Sequence, residues 1–142
     1  MRALSWREPF ATLMLHGKIE TRTWATNYRG LVLICASKKP YSPNEVLEIS
    51  GKVQYSHVRG TLMKEGEEQM MKTLGHAIAV GELVDCKPMG PDDNDKCFVR
   101  YDDLLYCHVY ENVRAIEPIA FKGQLGWKKL EKEFINSIKY KS

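Results

Sequence analysis

The clearest pattern in the chain lies at residues 17–25, where polar and small apolar side chains alternate. In an extended segment this period puts Lys18, Glu20, Arg22 and Trp24 on one face and Ile19, Thr21, Thr23 and Ala25 on the other. The chain then turns at Asn27, Tyr28, Arg29 and Gly30 and runs apolar through residues 31–36, which reads as a strand buried on both faces. Upstream, residues 2–6 are extended. Arg7, Glu8 and Pro9 open a helix whose stripe of Phe10, Leu13 and Met14 faces a core, and Gly17 ends it. His16 falls in the last turn as a helix-end residue.

Downstream, Ser42, Pro43, Asn44 and Glu45 resemble a capping box and predict a helix from 43 toward 49, interrupted by Gly51. Residues 52–60 show weak periodicity and receive no assignment. Residues 65–74, acidic at first and then offering Met70, Met71 and Leu74 for burial, predict a short helix. A second apolar strand is expected at 77–84, with Gly81 marking a bulge or a close backbone approach. The acidic stretch at 88–95 lacks the residue order of a calcium-binding EF-hand loop and reads as a solvated loop. Residues 104–109 and 112–116 predict two further strands, and Trp127, Leu130, Phe134 and Ile138 mark a closing amphipathic helix. Five or six strands with flanking helices make an α+β domain, β-dominated, with a small curled or closed sheet that hides its edges.

Composition changes this picture little. At 142 residues, with 44% hydrophobic and 27% charged residues, the chain suits one domain over residues 1–142 with a core of its own. The net charge is only +3, but between His16 and Lys39 five basic side chains (Lys18, Arg22, Arg29, Lys38 and Lys39) face one acid, Glu20. Positive potential should therefore gather around the alternating segment. Four cysteines without a paired spacing read as buried free thiols, in keeping with a reducing compartment. With no membrane span and no signal-peptide pattern, the expectation is a soluble cytoplasmic protein that does not bind a membrane.

There is no phosphate-binding glycine loop, no zinc spacing and no local nucleophile–base signature, so neither a metal nor a cofactor is expected. The charged row itself can hold a planar polar ligand: guanidinium for phosphate, indole for stacking, carboxylate for donors on a base edge. Lys18 could be a base or a phosphate contact, and Glu20 an acid/base group, an acceptor, or simply the partner of Lys18 or Arg22.

Five segments, LSWREPFATLMLHG, KIETRTWATNYRG, LVLICASK, AIAVGELVDC and ENVRAIEPIAFKGQLGW, together resemble the activating signal cointegrator homology (ASCH) family, in order and over residues 4–127. The resemblance implies a PUA-like small β-barrel with flanking helices and a cleft that binds RNA or a modified nucleoside. Of the family's G-x-K-x-x-E-x-R signature, Gly17, Lys18, Glu20 and Arg22 supply the residue types, with two residues fewer between glycine and arginine. Glu8 stands where the family usually has glutamine. The chemistry of the side chains, taken with the resemblance, gives Trp6, Glu8, Arg22, Trp24, Tyr28, Arg29, Ser37 and Lys38 as ligand-binding candidates. Lys18 and Glu20 would be the working pair if the protein is an enzyme. Some small bacterial members are amidohydrolases acting on N4-acetylcytidine through lysine, threonine and glutamate; here Thr21 is next to the threonine position, on the opposite face of a regular strand. RNA or nucleotide binding, hydrolysis of an acylated nucleoside or of RNA, and a protein-binding adaptor role are the three functional expectations.

Overall fold

The apolar run becomes the spine of a mixed sheet. The computed structural model describes residues 1–142, the side chains of Lys64 and Glu65 excepted. Its elements in order are β1 (Arg2–Trp6), α1 (Phe10–Met14), β2 (Glu20–Arg22), β3 (Gly30–Ala36), α2 (Pro43–Glu65), α3 (Glu67–Lys72), β4 (His76–Pro88), α4 (Asn94–Cys97), β5 (Tyr106–Ala120), β6 (Lys128–Lys129) and α5 (Lys132–Asn136). The strands form one curled six-stranded half-barrel ordered β2-β5-β4-β3-β1-β6. Only β1 and β3 run parallel; every other pair is antiparallel.

The α+β small-barrel expectation holds, and β3 is buried on both faces from Val32 onward, whereas Leu31, expected to be enclosed with them, is exposed at 45% near the strand's start. Val32, Ile34 and Ala36 join the larger core with α1 and α2, whereas Leu33 and Cys35 join a smaller one against Leu130, Phe134 and Ile138. Both edges are minimal, three residues in β2 and two in β6, which leaves little free backbone to recruit another strand.

Several predicted boundaries move, each for a local reason. The two strands expected at 104–109 and 112–116 are one, β5, because Asn112 takes a positive φ of 52° and bends the strand without ending it. Opposite it, β4 shifts register between Val80 and Glu82; a Cβ on Gly81 would stand 3.0 Å from Val113 Cγ2, so the glycine marks both the bulge and the close approach. Residues 52–60 continue α2 beyond a kink at Gly51, whose φ of 78° interrupts the helix as predicted. The Ser42 capping box forms, with Glu45 N donating to Ser42 Oγ at 3.2 Å and Ser42 N to Glu45 Oε1 at 2.9 Å. The closing helix shrinks to α5, because Lys128 and Lys129 are drawn into pairing with β1 and Trp127 turns back into an aromatic cluster with Trp24 and Tyr28. The polar loop after β4 contains a short 3-10 turn at Pro91–Asp93 and α4. All four cysteines are free and three are buried; Cys86 is half-exposed. Burial pushes the thiols of Cys35 and Cys97 up to about 12, so they stay protonated. Among the described residues no helix is long and apolar enough to cross a membrane.

Candidate functional site

The glycine that ends α1 also sets up the site. Gly17 takes a φ of +84°, and Lys18 N is tied back to Leu13 O, so Lys18 enters the protein beneath α1. Its side chain is almost wholly buried, at 3% exposure, with Nζ donating to Glu20 Oε1 at 2.8 Å and to Ile19 O at 3.1 Å. Glu20 begins β2, opposite His108 of β5, and is itself 6% exposed. Its other oxygen, Oε2, accepts from Arg22 Nε at 2.9 Å. The period-two reading thus puts three charges in contact: one carboxylate between two cations.

Arg22 does more than pair. Its Nη2 donates to Ser5 O at 3.0 Å, reaching from edge strand β2 to β1, with which β2 shares no ladder. The guanidinium lies 4.9 Å from the Trp6 ring and 5.9 Å from the Trp24 ring. Beside it, Trp24 meets Trp127 edge-on at 5.9 Å. Side chains therefore close the gap that backbone pairing leaves between the two ends of the half-barrel.

Burial is the largest single influence on Glu20 and opposes its ionisation. The Lys18 and Arg22 cations, helped by hydrogen bonds from Lys18 and from Thr21 N–H, together outweigh it and hold the carboxyl below its usual range. Glu20 is therefore an anion at neutral pH. Behind it, His108 Nε2 lies 2.8 Å from Trp24 O; a carbonyl can only accept, so Nε2 carries the proton and Nδ1 has none. Burial lowers the His108 pKa and keeps the ring neutral. His108 Nδ1, Trp6 Nε1 and Tyr110 Oη are buried without a hydrogen-bond partner among the described residues, and the Trp6 and Tyr110 rings meet edge-on at 5.9 Å. The wall behind the charged row is thus polar as well as aromatic.

In front of the row lies a cleft of about 750 Å³. The structure brings Trp6, Lys18, Glu20, Arg22, Ser37 and Lys38 together along it, and Thr21, assigned to the opposite face of a regular strand, also contributes to its lining. Glu8, Trp24, Tyr28 and Arg29 lie outside this lining. Glu8 is fully buried under α1, where Thr12 N and Thr12 Oγ1 donate to its carboxylate at 2.7 and 2.6 Å. Tyr28 donates its hydroxyl to Leu31 O, and Arg29 Nη1 donates to Thr26 O and Tyr28 O. Trp6 is 2% exposed under the Arg22 guanidinium, which makes it a packing surface.

Sequence reasoning missed the other half of the wall: Arg7, Tyr41, Lys39 and the loop at residues 122–126. Arg7 is held over the Tyr41 ring at 4.0 Å, donating to Lys39 O and Pro40 O. Six basic side chains (Arg7, Lys18, Arg22, Lys38, Lys39 and Lys122) and one acid, Glu20, line the cleft, a formal charge of +5 on a chain whose total is +3. No group of three His, Cys, Asp or Glu residues suited to a metal ion occurs among the described residues. A second, mainly apolar groove of about 540 Å³ runs between Pro40, Pro43 and the Val58, Leu62 and Met70 side chains of α2 and α3.

No family model matches the chain. It is 34% identical over 85 residues to activating signal cointegrator 1 of Homo sapiens and, to the same extent, of Mus musculus. The match covers 58% of this chain and 14% of each relative, so the chain spans about one seventh of the length of the curated relatives it matches. That similarity, together with the α+β half-barrel, supports an ASCH-related domain.

Proposed function

We propose that the chain binds RNA or a nucleotide in the cleft between β1 and β2, its phosphates held by the cations of the lining. The observation that carries this reading is the concentration of six basic side chains around one buried acid. Arg22 and Lys18 are partly neutralised by Glu20, so Lys38, Lys39, Lys122 and Arg7 supply most of the uncompensated charge. Glu20 acts mainly by fixing Lys18 and Arg22 in place, since each of its oxygens already accepts from one of them.

Fluorescence anisotropy with labelled single-stranded RNA over a salt series tests the reading. Affinity should fall steeply with salt, and Lys38→Ala or Lys122→Ala should each reduce the slope of log K against log salt by about 0.7, the value for one phosphate contact on a single strand. A salt-independent affinity, or none for any RNA length or sequence, would sink it.

A second reading, amide hydrolysis on an acylated nucleoside such as N4-acetylcytidine, draws support from Thr21, which borders the cleft beside the buried Lys18–Glu20 pair. Acetate release that disappears in Thr21→Val, with the fold intact by circular dichroism, would establish it over simple binding. Cleavage of the labelled RNA in the same incubations would point to a nuclease. An adaptor role would use the apolar groove beside α2, and Met71→Asp at its exposed rim would then abolish partner binding while sparing RNA affinity.

A further inference from the structure

Leu125 is fully exposed, yet it borders the cleft. It stands in the loop at residues 122–126, whose two flanks are fixed. On one side Phe121 N donates to Gly75 O, and its ring packs on Phe134. On the other, Trp127 is locked between Trp24 and Tyr28. Between these anchors, none of residues 122–126 exchanges a backbone hydrogen bond with the rest of the described chain. A five-residue segment with two glycines, one of them at a φ of +72°, is thus anchored at its ends and held between them by no backbone hydrogen bond, Gln124 Nε2 donating to Trp127 O at 3.3 Å.

Its position relative to the charges is also defined. Gly123 lies so close to β1 that a Cβ there would stand 2.9 Å from Ser5 Oγ, and Ser5 O is the acceptor for Arg22 Nη2. The exposed leucine therefore stands two residues from the point where the loop touches the residue that holds Arg22. Cations accompanied by one adjacent, uncovered apolar side chain are suited to a ligand with an anionic end and a flat, weakly hydrated end.

We infer that Leu125 is the contact for the nucleobase: the loop folds over the cleft and lays the leucine side chain on the base, while Arg22 and the lysines hold the phosphate. This rests on the nucleotide-binding reading and adds to it a division of labour between charge and apolar contact. Because the side chain touches nothing in the free protein, changing it leaves the fold unaltered, so any effect on binding reports the contact itself.

The test compares two ligands, uridine 5′-monophosphate and ribose 5-phosphate, against wild type and Leu125→Ser by isothermal titration. The variant should bind the nucleotide about tenfold more weakly, the loss expected for an apolar contact covering less than a whole leucine. It should bind ribose 5-phosphate as wild type does, with the same salt dependence for both ligands. Leu125→Trp should tighten nucleotide binding and show fluorescence quenching on saturation. Equal nucleotide affinity in wild type and Leu125→Ser, or equal losses for both ligands, would overturn the inference while leaving phosphate binding standing. Wild type that binds neither ligand would overturn the nucleotide reading itself, and this inference with it.

Discussion

Two carboxylates are buried among the described residues, and their surroundings push them in opposite directions. Glu8, fully enclosed at the start of α1, has its pKa raised: burial dominates, and the Thr12 hydroxyl with the Thr12 and Ala11 backbone N–H groups offsets it only in part. Glu20, nearly as enclosed, has its pKa lowered although burial is again the largest single influence, because Lys18 and Arg22 lie on its two oxygens. Neutral donors make a buried carboxylate tolerable; flanking cations make its charge the favoured state. Glu8 fastens the helix to itself, whereas Glu20 fastens two cations at the mouth of a cleft. The difference follows from what each element can reach: the first turn of a helix offers N–H groups, and an edge strand at period two offers its own alternate side chains.

The largest expected effect comes from breaking the Glu20 side of this comparison. Glu20→Gln leaves the ammonium of Lys18 buried without its counter-charge and should cost about 3–5 kcal/mol in urea unfolding at pH 7. Adding Lys18→Met should recover more than half of the loss, since it removes the stranded charge. The pH dependence has a fixed sign. A carboxyl whose folded pKa lies below its unfolded value near 4.5 contributes fully above that value and loses its contribution as pH falls through the folded one. The gap between wild type and Glu20→Gln should therefore close as pH drops below 4.5.

Thr12→Val tests the other side. It removes the hydroxyl that donates to Glu8 Oε2 at 2.6 Å and keeps the side-chain shape, so a loss of about 1.5–3 kcal/mol is expected at neutral pH. Recovery on acidification, as Glu8 protonates, would tie the loss to the carboxylate; a pH-independent loss would mean that packing alone is responsible.

These contrasts mark what the sequence made legible. The charged row was readable because a strand's period is two and Lys18, Glu20 and Arg22 are spaced by two; local geometry alone brings them together. The spine β3 was readable because an unbroken apolar run has only one stable place, between two cores. Arg7, Tyr41 and Lys122 were not readable as cleft residues, because they join it through the curl of the sheet and the route of the loop after β5, which no periodicity encodes. Trp24, Arg29 and Tyr28 look like ligand contacts in one dimension. In three, Arg29 donates to the carbonyls of Thr26 and Tyr28, and the rings of Trp24 and Tyr28 meet Trp127. Glu8 illustrates the same limit: an acid beside proline at a helix start gives no sign of whether it will face water or be enclosed.

Glu8→Gln sharpens the comparison with a smaller effect. The carboxamide can accept from Thr12 N and donate to Thr12 Oγ1, so stability at pH 7 should change by about 1 kcal/mol or less. The sign appears in the pH profile. A raised folded pKa means that the Glu8 contribution is fully present below about 4.5, the unfolded value, and is lost as pH rises through the folded value. Thermal unfolding from pH 4 upward should show wild type losing ground to Glu8→Gln across that interval. Parallel profiles would show that Glu8 titrates as an ordinary exposed acid.

The smallest effect belongs to a third carboxylate that has a cation but no burial. Glu67 Oε1 lies 3.3 Å from Arg59 Nη1, only half an ångström farther than Glu20 from Lys18, but both side chains are more than half exposed. If distance to a cation set the strength of these pairs, Glu67→Gln should cost nearly as much as Glu20→Gln. Water around an exposed pair screens the attraction and hydrates the partner left behind, so the expected loss is about 0.5 kcal/mol or less, vanishing as salt is raised. A loss at Glu67 approaching the one at Glu20 would remove burial from the explanation and leave the Lys18–Glu20–Arg22 cluster an ordinary ion pair. A near-zero loss isolates enclosure as the condition under which a carboxylate between two cations matters to stability.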